Sequence, residues 1–202
     1  MAPLVAFALL VLAGCVGAAG ISSEIQPNVT PGVKYPASAA VVCSEKLQAF
    51  TERFTVPTDS RSDRQSDGSY YFKVGEPLCN ALARSVGTAY GKPMVVPERP
   101  PLGSYERVFD FTVQSSRLVL PPNFSTVSAD AIRYNLFLTM EAYDGKTMGL
   151  IKQTIVEGIG RPAGGRVWGW IREPLVSAVE AGIQDVSTNT AQLLAAGFAE
   201  SR

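Results

Sequence analysis

The sequence predicts an α+β fold, a two-layer sandwich in which a mostly antiparallel sheet carries helices on one face. Three observations predict it. Residues 131–160, AIRYNLFLTMEAYDGKTMGLIKQTIVEGIG, read as two strands joined at Asp144-Gly145. Ile132, Tyr134, Leu136, Leu138 and Met140 alternate with Arg133, Asn135, Thr139 and Glu141, and a period of two sends the two sets to opposite sheet faces. Asp-Gly between such runs signals a tight type I′ hairpin turn. Leu78, Leu82, Val86 and Ala89 recur at helical spacing, and so do Leu175, Val179, Ile183 and Val186 near the end of the chain. Helices that follow strands, with no regular βαβ alternation, give helices layered on a sheet.

In chain order, residues 1–14, MAPLVAFALLVLAG, are nearly all apolar. That run is shorter than the ~20 residues a membrane-spanning helix needs, and it fits a secretion signal. It ends in Leu12-Ala13-Gly14-Cys15, which resembles the lipobox of bacterial lipoproteins. The resemblance implies cleavage before Cys15 and a diacylglycerol on its sulfur. Val16 follows where an Asp is associated with inner-membrane retention, so the resemblance leans towards the outer membrane, facing the periplasm. The plainer alternative is an ordinary signal peptide in which Cys15 is incidental.

Residues 15–36 hold Pro and Gly without periodicity and predict a flexible tether; residues 37–202 then form a single domain. Residues 37–43, ASAAVVC, predict a strand. Leu47, Phe50 and Phe54 predict a short helix or an irregular edge. Residues 57–68 predict a polar surface loop, whose Asp59, Asp63 and Asp67 lack the spacing of a calcium loop. Residues 69–74 predict a strand leading into a helix with Pro77 in its first turn and Gly91 and Pro93 at its end. Met94-Val95-Val96 is a short strand. Phe109, Phe111 and Val113 mark another, continued by residues 117–120 beyond a bulge or bend. Residues 161–170, RPAGGRVWGW, are a Gly-rich loop in which Trp168 and Trp170 are either a partner-binding patch or caps on the core edge.

Composition narrows the function. Eighteen Lys+Arg balance eighteen Asp+Glu, which leaves no net field to attract nucleic acid. Histidine is absent, so Ser-His and Cys-His nucleophile pairs are excluded and a zinc site lacks its usual ligands. No cofactor or metal is expected. Exported chains live where disulfides persist, and with Cys15 acylated Cys43 and Cys79 have only each other. The alternative is a pair of free buried thiols. Carboxylates such as Asp110 and Glu141 exist on paper as a hydrolase pair, but alternating strand acids are usually a solvated face.

Arg133-Tyr134-Asn135, the following strand and the turn Asp144-Gly145-Lys146-Thr147-Met148 resemble the YajG-type family of small bacterial lipoproteins over roughly residues 130–195. The order of elements is also similar to auxiliary lipoproteins of envelope ABC transporters. These resemblances imply no catalytic residues, an envelope location and an envelope protein partner. The expectation is therefore a non-enzymatic binding or assembly component held to the membrane by lipid. The alternative is a carrier of a lipid or other apolar ligand between helix and sheet.

Overall fold

The structure, a computed structural model, describes residues 18–30, 35–56, 68–120, 131–163 and 172–199. Among these residues eight strands and three helices follow in the order β1 (Ala18–Ala19), β2 (Ala39–Val42), α1 (Glu45–Gln48), β3 (Thr51–Val56), β4 (Gly68–Lys73), α2 (Gly75–Tyr90), β5 (Met94–Val96), β6 (Arg107–Val119), β7 (Arg133–Asp144), β8 (Leu150–Gly160) and α3 (Arg172–Ala195).

The α+β class holds, with a mixed sheet. The main sheet has the order β5-β2-β6-β7-β8. The long β6-β7-β8 meander is antiparallel, whereas β2 lies parallel to both its neighbours. Parallel neighbours need a crossover, and α2 supplies the one between β2 and β5. The bulge expected in β6 falls between Val113 and Ser115. It re-phases the strand, so that Ser116 and Leu118 lie opposite Leu136 and Tyr134.

Both long helices bury their apolar stripes on one sheet face. Leu78, Leu82 and Val86 of α2 and Leu175, Val179, Ile183 and Val186 of α3 meet Phe109, Phe111, Tyr134, Leu136, Leu138 and Met140 with no solvent contact to speak of. Where α2 crosses α3, the buried Ser85 and Ser187 hydroxyls lie 2.7 Å apart and both reach the Ala81 carbonyl, so that one hydroxyl donates to the other and the second donates to that carbonyl. That fixes the rotation of the two helices, because an unpaired buried hydroxyl would be costly. Gly158, Gly160 and Gly182 let α3 lie directly on β8, since a Cβ at Gly160 would overlap the Ala178 carbonyl oxygen.

The structure departs from the expectations at three places. The stretch 44–54 is one turn of helix, capped by the Ser44 hydroxyl on the Leu47 N–H, and then a strand, so Phe54 belongs to β3. With β4 and β1 this strand makes a second sheet, of order β1-β4-β3, which the pattern of residues 44–74 does not announce. The hairpin turn is wider than a two-residue type I′ turn. Asp144 Oδ1 accepts from the Lys146 and Thr147 N–H groups and from the Thr147 hydroxyl, closing residues 145–149 into a loop. The positive φ falls on Met148, at 54°. Gly145 is needed because a Cβ there would collide with the Tyr105 carbonyl.

The third departure is the tether. Its described part, residues 18–30, is strapped across the helices. Ser22 N–H donates to Glu180 at 2.8 Å, Asn28 N–H to the Thr188 hydroxyl at 2.9 Å, and Arg84 to the Ile25 carbonyl at 2.8 Å. Ile21 and Ile25 pack against the core. Two isoleucines at a spacing of four are enough apolar area to hold a segment that composition alone marks as a linker.

Candidate functional site

Among the described residues, no helix covers the solvent side of the main sheet. Its residues are fixed by register. Asp110 stands opposite Glu141, and Glu141 opposite Gln153; Thr139 stands opposite Ile155, Phe137 opposite Glu157, and Asn135 opposite Ile159. One end is covered. Ala40, Val42, Val108 and Tyr143 form a small second core there under Val96, Tyr105 and Met148.

Arg99, in the connection after β5, clasps that covered end. Its guanidinium donates to Asp110 at 2.8 Å, to Glu141 at 3.2 Å and to the Tyr143 hydroxyl at 2.7 Å, and it lies 4.2 Å from the Tyr143 ring centroid. The Tyr143 hydroxyl in turn donates to Glu141 at 2.6 Å, and the Gln153 amide reaches the other Glu141 oxygen at 3.2 Å. Burial opposes the Arg99 charge, but the Asp110 hydrogen bond and the surrounding acids hold its pKa above the ordinary value. Burial and the bond to Glu141 push the Tyr143 phenol up. Asp110 and Glu141 are thus cross-strand neighbours, and an arginine lies between them. The arrangement pins the connection to the sheet.

Beyond the clasp no described element covers the face. Ile155 is 65% exposed, Leu150 52% and Ile159 43%, all on the outward stripe of β8. β8 is an eleven-residue edge strand whose only partner among the described residues is β7. Side chains of α3 seal part of its free edge. Asp185 accepts from the Ile159 N–H at 2.8 Å, and Asn189 donates to the Glu157 carbonyl at 2.8 Å. The half from Leu150 to Ile155 has no such cover among the described residues. Unpaired strand edges flanked by aliphatic side chains recruit other chains.

Cys43 and Cys79 are joined as a disulfide, with their Cα atoms 5.9 Å apart, both buried between β2 and α2. Cys15, Trp168 and Trp170 lie outside the described residues, as do Asp59, Asp63 and Asp67. Among the described residues no cluster of acids and thiols is placed to hold a metal ion. No helix among them is long and apolar enough to cross a membrane. A surface cavity of about 340 Å³ lies between Asn28–Thr30 of the strap and Thr88, Ala191 and Gln192 of the helices. The space between helices and sheet is filled by Phe72, Phe109, Phe111, Tyr134 and the leucines around them.

What the sequence missed here is Arg99. A lone arginine in a Pro-rich connection carries no periodic signal, and only the fold brings it over two strands eleven and forty-two residues away.

No protein-family model matches this chain, and no curated protein matches it in sequence. Solved structures do resemble it. Protein XCC0632 from Xanthomonas campestris, of the DUF330 family model, superposes with a TM-score of 0.56 at 9% identity, over 89% of this chain and 95% of that one. Looser likenesses are the hypothetical protein CT253 from Chlamydia trachomatis (TM-score 0.46, 8% identity, 80% of this chain and 96% of that) and the PelC dodecamer from Paraburkholderia phytofirmans (TM-score 0.41, 13% identity, 79% and 90%). What the chain shares with the Xanthomonas protein is the fold.

Proposed function

We propose that this chain is a bacterial envelope lipoprotein, a non-enzymatic binding or assembly component anchored through Cys15 at the periplasmic face of the outer membrane. The observation that carries the binding role is the open side of the sheet. There β8 leaves half of its edge and the aliphatic stripe Leu150, Ile155 and Ile159 in solvent, beside acids already engaged by Arg99. Such a surface gains by being covered by another protein. The tetrapeptide Leu12-Ala13-Gly14-Cys15 supports the location.

Two measurements test it. The intact mass of protein extracted from membranes should correspond to a chain beginning at Cys15 plus acyl groups, with Cys43 and Cys79 oxidised. A photo-crosslinking amino acid at Ile155 should capture one discrete envelope partner in intact cells, and the same group at Glu76, exposed on α2, should not. An unacylated mass refutes the anchor. Equal capture, or none, at the two positions refutes the binding face.

A further inference from the structure

The way the chain enters the fold fixes which side of the protein meets the membrane. Only Val16 and Gly17 separate Cys15 from Ala18, the first residue paired in a sheet, a distance of three Cα steps. A fully extended chain covers at most ~3.6 Å per residue, so β1 begins within about 11 Å of the acylated residue. The strap that follows cannot release slack, because it is bonded to Glu180, Arg84 and Thr188 and packed through Ile21 and Ile25. β1 runs parallel to β4 with Ala18 opposite Tyr71 and Ala19 opposite Phe72. Ala18 is therefore at the end of β1 nearer the end of the β3-β4 hairpin where Val56 stands opposite Gly68.

The small sheet turns Glu52, Phe54 and Phe72 inwards, where Phe54 lies against Phe72 and Tyr134. Its outer face is then set by register: Thr51 opposite Lys73, Arg53 opposite Tyr71, and Thr55 opposite Ser69. That is two cations, one phenol and three hydroxyls with no carboxylate, in a chain whose charges otherwise balance. The Arg53 guanidinium sits 5.4 Å from the Tyr71 ring centroid. None of the ion pairs among the described residues uses Arg53 or Lys73. Cations beside an aromatic ring with a polar tip suit the phosphate-rich boundary of a bilayer.

We propose that the outer face of the β1-β4-β3 sheet is the membrane-facing surface, apposed to anionic phospholipid headgroups through Arg53, Lys73 and Tyr71. This rests on acylation of Cys15. The reference site is the turn at Lys146, at the far end of β7 from the contact of Tyr134 with Phe54. Along β7, ten residues at ~3.3 Å separate Tyr134, which touches the small sheet, from Asp144, so the turn stands about 33 Å away.

The full mature protein, its acylation first verified by mass, is placed in phosphatidylglycerol–phosphatidylcholine vesicles that contain a headgroup nitroxide lipid. A coumarin amino acid replaces either Thr55 or Lys146. Quenching is expected at Thr55 and absent at Lys146. Arg53→Glu with Lys73→Glu should weaken the apposition, each cation being worth about fivefold in population at an anionic surface, and should do nothing in pure phosphatidylcholine. Both positions are solvent-facing, and an unchanged melting temperature checks that the variant folds. An unacylated chain overturns the anchored reading and this orientation together. An acylated chain with equal quenching at the two sites, or quenching indifferent to the charge reversal, overturns the orientation alone.

Discussion

Replacing Gly160 by Ala tests how closely α3 lies on the sheet. In the wild type the Gly160 backbone meets that of Ala178 and Gly182, and an added Cβ would sit 2.9 Å from the Gly182 Cα and closer still to the Ala178 carbonyl oxygen. Every neighbour is backbone, so no rotamer change relieves the overlap. The helix must lift from β8 by more than about 1 Å, and a gap of 0.5–1 Å already forfeits a quarter to a half of the dispersion contacts along an interface. That interface buries Leu175, Val179, Ile183 and Val186. Overpacking alone costs about 1–3 kcal/mol, and the lifted helix places this case at the top, near 3 kcal/mol. For a chain of this size that lowers the melting temperature by about 6–12 °C. Gly87→Ala is the control. It is the same chemical change inside α2, where the nearest atom to the new Cβ is Pro93 Cδ at 3.5 Å. There it should stabilise by about 0.5–1 kcal/mol through helix propensity. Urea unfolding of the three proteins measures both. If Gly160→Ala falls within roughly 0.5 kcal/mol of wild type, as surface changes do, the direct helix–sheet contact is refuted.

Opening the Cys43–Cys79 bridge by double substitution to Ala should cost about 3–4 kcal/mol for its separation of 36 residues, read as a lower urea midpoint that added reductant no longer changes. Tyr134→Phe removes the 3.0 Å bond from the buried phenol to Glu52 and should cost about 1–3 kcal/mol, because a buried carboxylate loses its donor. Glu52→Gln, which can still accept that bond, should cost less, and equal losses would refute the pairing. Burial first, then Glu52, pushes the Tyr134 phenol well above the ordinary range. Its contribution is thus complete below pH ~10 and fails only in stronger alkali, and a Tyr134 absorbance titration completed near pH 10 would contradict that. The bonds from Thr147 hold the Asp144 carboxyl below its ordinary value. Their stabilisation is therefore present above the unfolded pKa near 4 and is lost as the pH falls through the lower folded value. The stability difference between wild type and Asp144→Asn should shrink between pH 5 and pH 2, and a difference independent of pH would refute the role given to the turn.

Much of the sheet and both long helices were legible because their signals are periodic and local. The alternation from Ile132 to Met140 and the stripes Leu78–Leu82–Val86 and Leu175–Val179–Ile183 each state a face without reference to anything distant. An interruption in β6 was legible for the same reason, expected as a bulge or bend before Arg117 and found between Val113 and Ser115. Residues 44–56 were not, because four residues of helix and six of strand are each too short to establish a period. The turn misled because Asp-Gly suits a two-residue hairpin, whereas here Gly145 serves a close approach to Tyr105 and the loop is closed by the Asp144 side chain.

Local spacing was enough for the class of the fold and the faces of the long elements, and it marked out Cys43, Cys79 and the tetrapeptide at Cys15 as candidates, because each is written in near-neighbour order or in a small count of residues. It took the packed fold to show that Cys43 and Cys79 join, that residues 18–30 lie along α2 and α3, that Arg99 spans Asp110 and Glu141, and that Arg53 and Lys73 share a face. Each of these joins residues far apart in the chain, and which distant segments meet is settled by how the buried faces pack together.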